Sequence, residues 1–164
     1  QRLMFIRDSS CTYLVPTVAV YELIAAEGRD YEVPENSIRK IKEALTGAYT
    51  SLEIAKAAGV NIGSGSDVLG AHQPLKAREL RYKARVLGPM GALVASTATN
   101  AELLGMGNDL GTIEEGKLAD ILIVDGDPVS EIEVLEDSGR IWMVVLNGAV
   151  VVERGGDYDP ALCS

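Results

Sequence analysis

One histidine, one tryptophan, one phenylalanine and two cysteines are all that these 164 residues carry of those types. Each scarcity excludes something. A hydrolytic metal centre draws several imidazole and carboxylate ligands, and a lone His72 cannot supply them. Cys11 and Cys163 lie near opposite ends, with no CxxC and no Cys/His cluster, which excludes a disulfide framework and a structural zinc site and fits a reduced, cytoplasmic setting. Bases are also few, 15 against 24 acids for a net charge of −9. No Lys/Arg cluster interleaves with aromatics, so nucleic acid is not an expected partner. No apolar run approaches the ~20 residues of a membrane span. The longest, around Trp142 to Val152, is interrupted by Asn147-Gly148.

What is present is ordinary globular material: 47% hydrophobic and 24% charged residues, enough for a packed core. The chain begins at Gln1 with what reads as the end of an amphipathic segment (Leu3, Met4, Ile6) running into a strand. An additional N-terminal part is expected, and a signal peptide upstream would be invisible here.

The organising stretch is Val60-Asn-Ile-Gly-Ser-Gly-Ser-Asp67, a short apolar run that thins into small residues and stops at an acid. Before it, Ile38, Ile41, Leu45, Ala48, Leu52 and Ala55 recur at spacings of three and four, which predicts a helix from Pro34 to a left-handed cap at Gly59. After it, a polar loop with His72 leads into a helix through Leu80, Ala84 and Leu87 to Gly88, and Pro89 opens another that ends at Gly105. Upstream, Tyr13 to Val20 is apolar on both faces and reads as a buried parallel strand, with Pro16 at its end or at an irregularity. The segment Tyr21–Val33 then reads as a connection long enough to cover a site. Strand and helix alternate, as in a parallel-sheet or barrel α/β architecture.

From Leu110 the pattern changes to strands and tight turns. Ala119–Val124 reads as a strand stopped by Asp125-Gly-Asp-Pro128, and Asn147-Gly148 is a strong hairpin signal. A boundary near 106–110 therefore divides an α/β part, residues 1–109, from a small β part, residues 110–164.

In α/β units the loops beyond the strand C-termini carry the chemistry, and Asp67 stands at such a tip. It could accept a proton from water or hold a metal ion; it could equally be a turn or helix-capping aspartate. His72, five residues on, could reach the same mouth as ligand, donor or proton carrier, or be an exposed loop residue. Tyr21 and Glu22, after the first strand, could line the same face or be solvated. Ser64 and Ser66 lack the GxSxG context of a nucleophile, and the glycines match neither GxxxxGK[ST] nor GxGxxG.

The wording and order of four stretches are more specific. Gly59–Asp67, Arg78-Glu-Leu80, Ala98-Thr-Asn-Ala-Glu-Leu-Leu-Gly105 and Leu110-Gly-Thr-Ile-Glu-Glu-Gly-Lys-Leu-Ala-Asp-Ile-Leu-Ile-Val-Asp-Gly-Asp-Pro128 resemble the C-terminal part of the amidohydrolase superfamily, closest to its imidazolonepropionase-like and prolidase-like (Xaa-Pro and Xaa-Arg dipeptidase) members. The resemblance implies the last two βα units of a metal-dependent (β/α)8 barrel, with Tyr13–Val18 as strand seven and Val60–Gly65 as strand eight. It implies that Ala119–Val152 forms the C-terminal part of a small β-sandwich. It implies hydrolysis of a carbon–nitrogen bond in a small amide, a dipeptide or an N-acyl amino acid, with a divalent metal, zinc, as cofactor.

Asp67 matches the superfamily's strand-eight aspartate, metal ligand and general base; His72 and Tyr21 would then shape substrate access. The family's first-strand His-x-His pair, its strand-four lysine or glutamate and its strand-five and strand-six histidines have no counterparts here, and Ser66 stands where threonine is usual. This chain alone is therefore expected to be inactive. A two-stranded piece of barrel exposes apolar edges, so either an N-terminal part completes it or it associates as a homo-oligomer. The alternative is a non-catalytic, self-associating or partner-binding α/β protein.

Overall fold

The computed structural model describes residues 12–30 and 32–154. Two short strands, β1 (Tyr13–Leu14) and β2 (Asn61–Ile62), pair in parallel with Tyr13 opposite Asn61 and Leu14 opposite Ile62. The crossover between them contains helices α1 (Val18–Glu27) and α2 (Glu35–Ala57). After β2 come a 3₁₀ turn over Gly70–Leu75 and helices α3 (Arg78–Leu87), α4 (Pro89–Ser96) and α5 (Ala98–Leu103). An antiparallel sheet follows in the order β3 (Ile121–Val124), β4 (Ile141–Leu146), β5 (Ala149–Glu153).

α2 forms where the apolar stripe predicts it, burying Ile38, Leu52 and Ala55, with Glu35 in its first turn and Lys56 in its last to complement the helix dipole. Gly59, at φ 66°, ends it: the Gly59 N–H donates to the Lys56 carbonyl and the Val60 N–H to that of Ala55. That is a Schellman closure, which needs a left-handed residue at this position. Asn147 (φ 50°) and Gly148 (φ 77°) join β4 to β5 with the sign pattern of a type I′ turn.

Three expectations are corrected. Residues 13–20 are not one strand: β1 is two residues long and the chain is helical from Val18, so Tyr21–Val33 is mostly helix rather than a polar connection. Val18 and Ala19 are fully buried, and a short helix apolar all round carries no stripe to tell it from a buried strand. The strand expected over 60–67 is regular only at Asn61–Ile62. The helix expected from Pro89 to Gly105 breaks at Thr97, whose backbone leaves the helical region (φ −115°, ψ −91°), while the hydroxyls of Ser96 and Thr97 donate back to the carbonyls of Ala92 and Leu93.

Two buried clusters position the strand tips. Val18, Ala19 and Leu23 of α1 pack with Val68 and Tyr82, and Leu52 and Ala55 of α2 pack with Ile62 beneath β2. The Glu22 carboxylate joins the helices above the first cluster, accepting from the Tyr49 hydroxyl at 2.7 Å and from Arg85 at 2.8 Å. Burial, then the hydrogen bond to Glu22, pushes the Tyr49 hydroxyl well above the usual phenol range.

Candidate active site

The Gly63 N–H still donates to the Leu14 carbonyl of β1 at 2.9 Å, and from Ser64 a side chain takes over from the ladder. The Ser64 N–H donates to Asn100 Oδ1 at 2.9 Å, and Asn100 Nδ2 donates back to the Ser64 carbonyl at 2.9 Å. The carboxamide of α5 thus occupies the place of a neighbouring strand. Gly63 permits the approach, since a Cβ there would lie 2.7 Å from Asn100 Oδ1 and 3.2 Å from Val15 Cγ2. Three residues past Ser64, Asp67 takes a left-handed backbone at φ 53°, a conformation that aspartate tolerates better than most L-residues and that costs about 1 kcal/mol. The turn brings the chain back so that Val68 is buried while Asp67 is exposed.

Asp67 and His72 line one pocket of about 170 Å³. Its remaining walls are apolar: Val20, Leu23 and Ile24 from α1, Val33 from the segment after it, and Val68 and Leu69 beside the aspartate. One carboxylate and one imidazole at the rim of an otherwise greasy cleft is the composition of a small-molecule site. His72 belongs to the 3₁₀ turn Gly70–Leu75 rather than to an irregular loop, and it is half-buried. Tyr21 lies on α1, half-buried, and is not among the residues lining this pocket.

A buried ion pair on α3, outside the pocket lining, has no counterpart in the sequence reading. Glu79 and Lys83, one turn apart on α3, approach to 3.1 Å with side chains 3% and 0% exposed. Glu79 Oε2 accepts the Ala19 N–H at 2.7 Å, and Lys83 Nζ donates to the Pro16 carbonyl at 3.3 Å. Burial raises the Glu79 carboxyl and lowers the Lys83 ammonium against their ordinary values. In sequence, an acid four residues before a lysine on a helix reads as a solvated surface pair; only the fold shows it facing inward. Asn100 stands in a stretch that carries the family resemblance, but that stretch does not give its partner 36 positions away.

Among the described residues no three histidine, cysteine, aspartate or glutamate side chains converge so that they could hold a metal ion. The donors present at the Asp67 tip therefore do not make a metal site by themselves. No helix among the described residues is long and apolar enough to cross a membrane.

Residues 5–151 match the amidohydrolase family. Over 114 residues the chain is 33% identical to the imidazolonepropionase of Thermoplasma volcanium, covering 68% of this chain and 28% of that protein. Its structure superposes with a TM-score of 0.84 and 34% identity on a prolidase complexed with N-methylphosphonate-L-proline, covering 92% of this chain and 37% of the other. A Xaa-Pro dipeptidase with methionine bound in its active site follows at a TM-score of 0.77 and 30% identity, with coverages of 91% and 36%. The chain thus spans 28% to 37% of the length of these proteins. The likeness carries the mixed α/β, TIM-barrel fold of the family. This chain belongs to the amidohydrolase family, and its likeness within it is to prolidases and to imidazolonepropionase.

Proposed function

We propose that this chain is the C-terminal third of a metal-dependent amidohydrolase that hydrolyses a carbon–nitrogen bond in a dipeptide or N-acyl amino acid, with Asp67 as the general base. In this reading β1 and β2 are barrel strands seven and eight, residues 1–109 belong to the barrel, and residues 110–164 belong to a C-terminal β-sandwich. The observation that carries it is the placement of Asp67: an exposed carboxylate past the tip of a parallel strand pair, three residues after the Ser64 backbone that Asn100 holds, and lining an apolar pocket together with His72.

The roles follow from what each group can do. Asp67 takes the proton from the attacking water, and its turn spares it reorganisation as the reaction proceeds. His72 lines the same pocket, where an imidazole can donate to a substrate oxygen. The apolar walls exclude water and receive a substrate side chain. Tyr21, one residue from the pocket-lining Val20, is assigned to the periphery of substrate binding. The metal, zinc by family likeness, would need ligands beyond those that converge among the described residues, and these are assigned to a longer polypeptide.

The test compares two proteins against L-alanyl-L-proline, L-alanyl-L-leucine and N-acetyl-L-leucine: this chain alone, and a longer polypeptide that carries it together with an upstream His-x-His pair. Hydrolysis by the longer protein and none by the chain alone supports the reading. Failure of the metal-loaded longer protein on every C–N substrate would overturn it.

A further inference from the structure

The Glu79–Lys83 pair has no part in the proposed chemistry, yet it is the most thoroughly buried charge in the described residues: as whole residues, Glu79 is 2% exposed and Lys83 0%. A buried ion pair is a poor device for stability alone, since well-packed hydrophobic residues of similar volume do as well or better. What hydrophobic residues could not do is satisfy backbone groups, and both members of the pair are turned toward backbone.

Their partners are the two ends of one turn. Pro16 follows β1, and its carbonyl accepts from Lys83; Ala19 is the second residue of α1, and its N–H donates to Glu79 across 60 positions of sequence. A helix leaves its first N–H groups without internal acceptors, and a side chain just before the helix usually takes one. Here Thr17 stands in that place and makes no capping hydrogen bond. Glu79 supplies the cap from a different helix, and Lys83 neutralises it and holds the residue that enters the turn.

That turn governs the pocket. α1 contributes Val20, Leu23 and Ile24 to the lining that Asp67, Leu69 and His72 complete. The strand β1 before the turn is only two residues long, so no backbone ladder reaches the start of α1; burial of Val18 and Ala19 beside Val68 and Tyr82 holds its side chains, while the clamp holds its backbone. We propose that Glu79 and Lys83 are positioning residues that clamp the β1–α1 turn and so set the distance between the apolar wall of the pocket and Asp67. The kinetic consequence rests on the amidohydrolase reading above; the structural claim does not.

Two double variants separate positioning from stability. Glu79→Leu/Lys83→Met removes both charges and both backbone partners while keeping volume; Glu79→Gln/Lys83→Met is equally neutral but retains an acceptor for the Ala19 N–H. In this chain, amide hydrogen exchange at Val18–Ala19 is expected to accelerate about tenfold or more in the Leu/Met variant, by local opening, and to return toward wild type in the Gln/Met variant. Exchange within α2 should stay unchanged in both. Equal, wild-type-like exchange in the two variants would overturn the proposal.

If the Leu/Met variant does not fold, the wild type decides. An Ala19 amide as protected as those in the middle of α3 supports the clamp, and one that exchanges like an exposed loop overturns it. In the longer, metal-loaded protein, KM for L-alanyl-L-proline should rise about tenfold in the Leu/Met variant with kcat nearly unchanged. A fall in kcat at unchanged KM would instead mark a merely structural role. Absence of turnover in the wild type would refute the amidohydrolase reading and leave the clamp to be judged on exchange.

Discussion

The carboxamide of Asn100 faces the backbone of Ser64 through two hydrogen bonds of 2.9 Å, one in each direction. This pairing ends strand β2 and begins the turn that presents Asp67. Asn100→Ala should cost about 2 kcal/mol in stability, from two part-buried hydrogen bonds of roughly 1 kcal/mol each, and should lower kcat/KM of the longer enzyme by more than that loss alone explains, because the base is displaced. Asn100→Asp should be at least as damaging, since a carboxylate can accept from the Ser64 N–H but meets the Ser64 carbonyl with a second acceptor. Urea unfolding and steady-state kinetics on the three proteins check both statements.

Gly63→Ala tests the same contact from the other side. Its Cβ would fall 2.7 Å from Asn100 Oδ1, so the carboxamide must swing away and both hydrogen bonds go with it. The effects of Gly63→Ala and Asn100→Ala on stability should then be strongly non-additive, the double variant resembling the worse single one. Simple addition in a double-mutant cycle would mean that the glycine serves another purpose.

The buried pair makes stability depend on pH in an unusual direction. The Glu79 carboxyl is raised above its ordinary 4.5, chiefly by burial, so between that value and its native one the folded chain keeps a proton that the unfolded chain has released. Glu79 therefore contributes less to stability as pH rises through that window. Lys83 is lowered from 10.5, again by burial, so the unfolded chain holds its proton longer, and stability from this group rises with pH up to 10.5. Wild type compared with Glu79→Leu/Lys83→Met should thus lose ground as pH rises from 4.5, measured by thermal unfolding of each protein at a series of pH values. A difference that is flat or grows in favour of wild type would contradict the burial-dominated shift.

Apolar exposure predicts how the chain behaves by itself. Val94, Leu104, Ile113 and Leu122 are between 45% and 85% exposed, and a groove of about 640 Å³ runs between α4–α5 and the β3 side of the sheet, with Leu93, Leu104 and Ile121 on its walls. Such a surface on a single chain favours association. Light scattering should give a mass above that of one chain, and elemental analysis should find well under one metal per chain. A monomer at high concentration, or stoichiometric zinc, would contradict this account.

How much was legible before the fold was seen depends on distance along the chain. The stripe from Ile38 to Ala55 and its closure at Gly59, the break at Gly88-Pro89 and the Asn147-Gly148 hairpin are local patterns, and the structure forms each of them. α1 was misread because Val18, Ala19, Val20 and Leu23 are apolar without a stripe, so period could not separate helix from strand. The spacing of Asp67 and His72 allows them to share one mouth or leaves His72 an exposed loop residue; both line one pocket. The groups that brace that mouth were illegible: Asn100 meets Ser64 across 36 positions and Glu79 meets Ala19 across 60. Both lie in stretches that carry the family resemblance, but nothing in those stretches gives the distant partner of either side chain.

The most direct test of the central claim is Asp67→Asn in the longer, metal-loaded protein, with kcat, metal content and near-ultraviolet circular dichroism measured on the same sample. The substitution removes a proton acceptor with almost no change of shape. The account predicts that turnover falls by about 10²-fold or more, with the fold intact and whatever metal remains bound reported alongside. Turnover within a few-fold of wild type would contradict the assignment of Asp67 as the base.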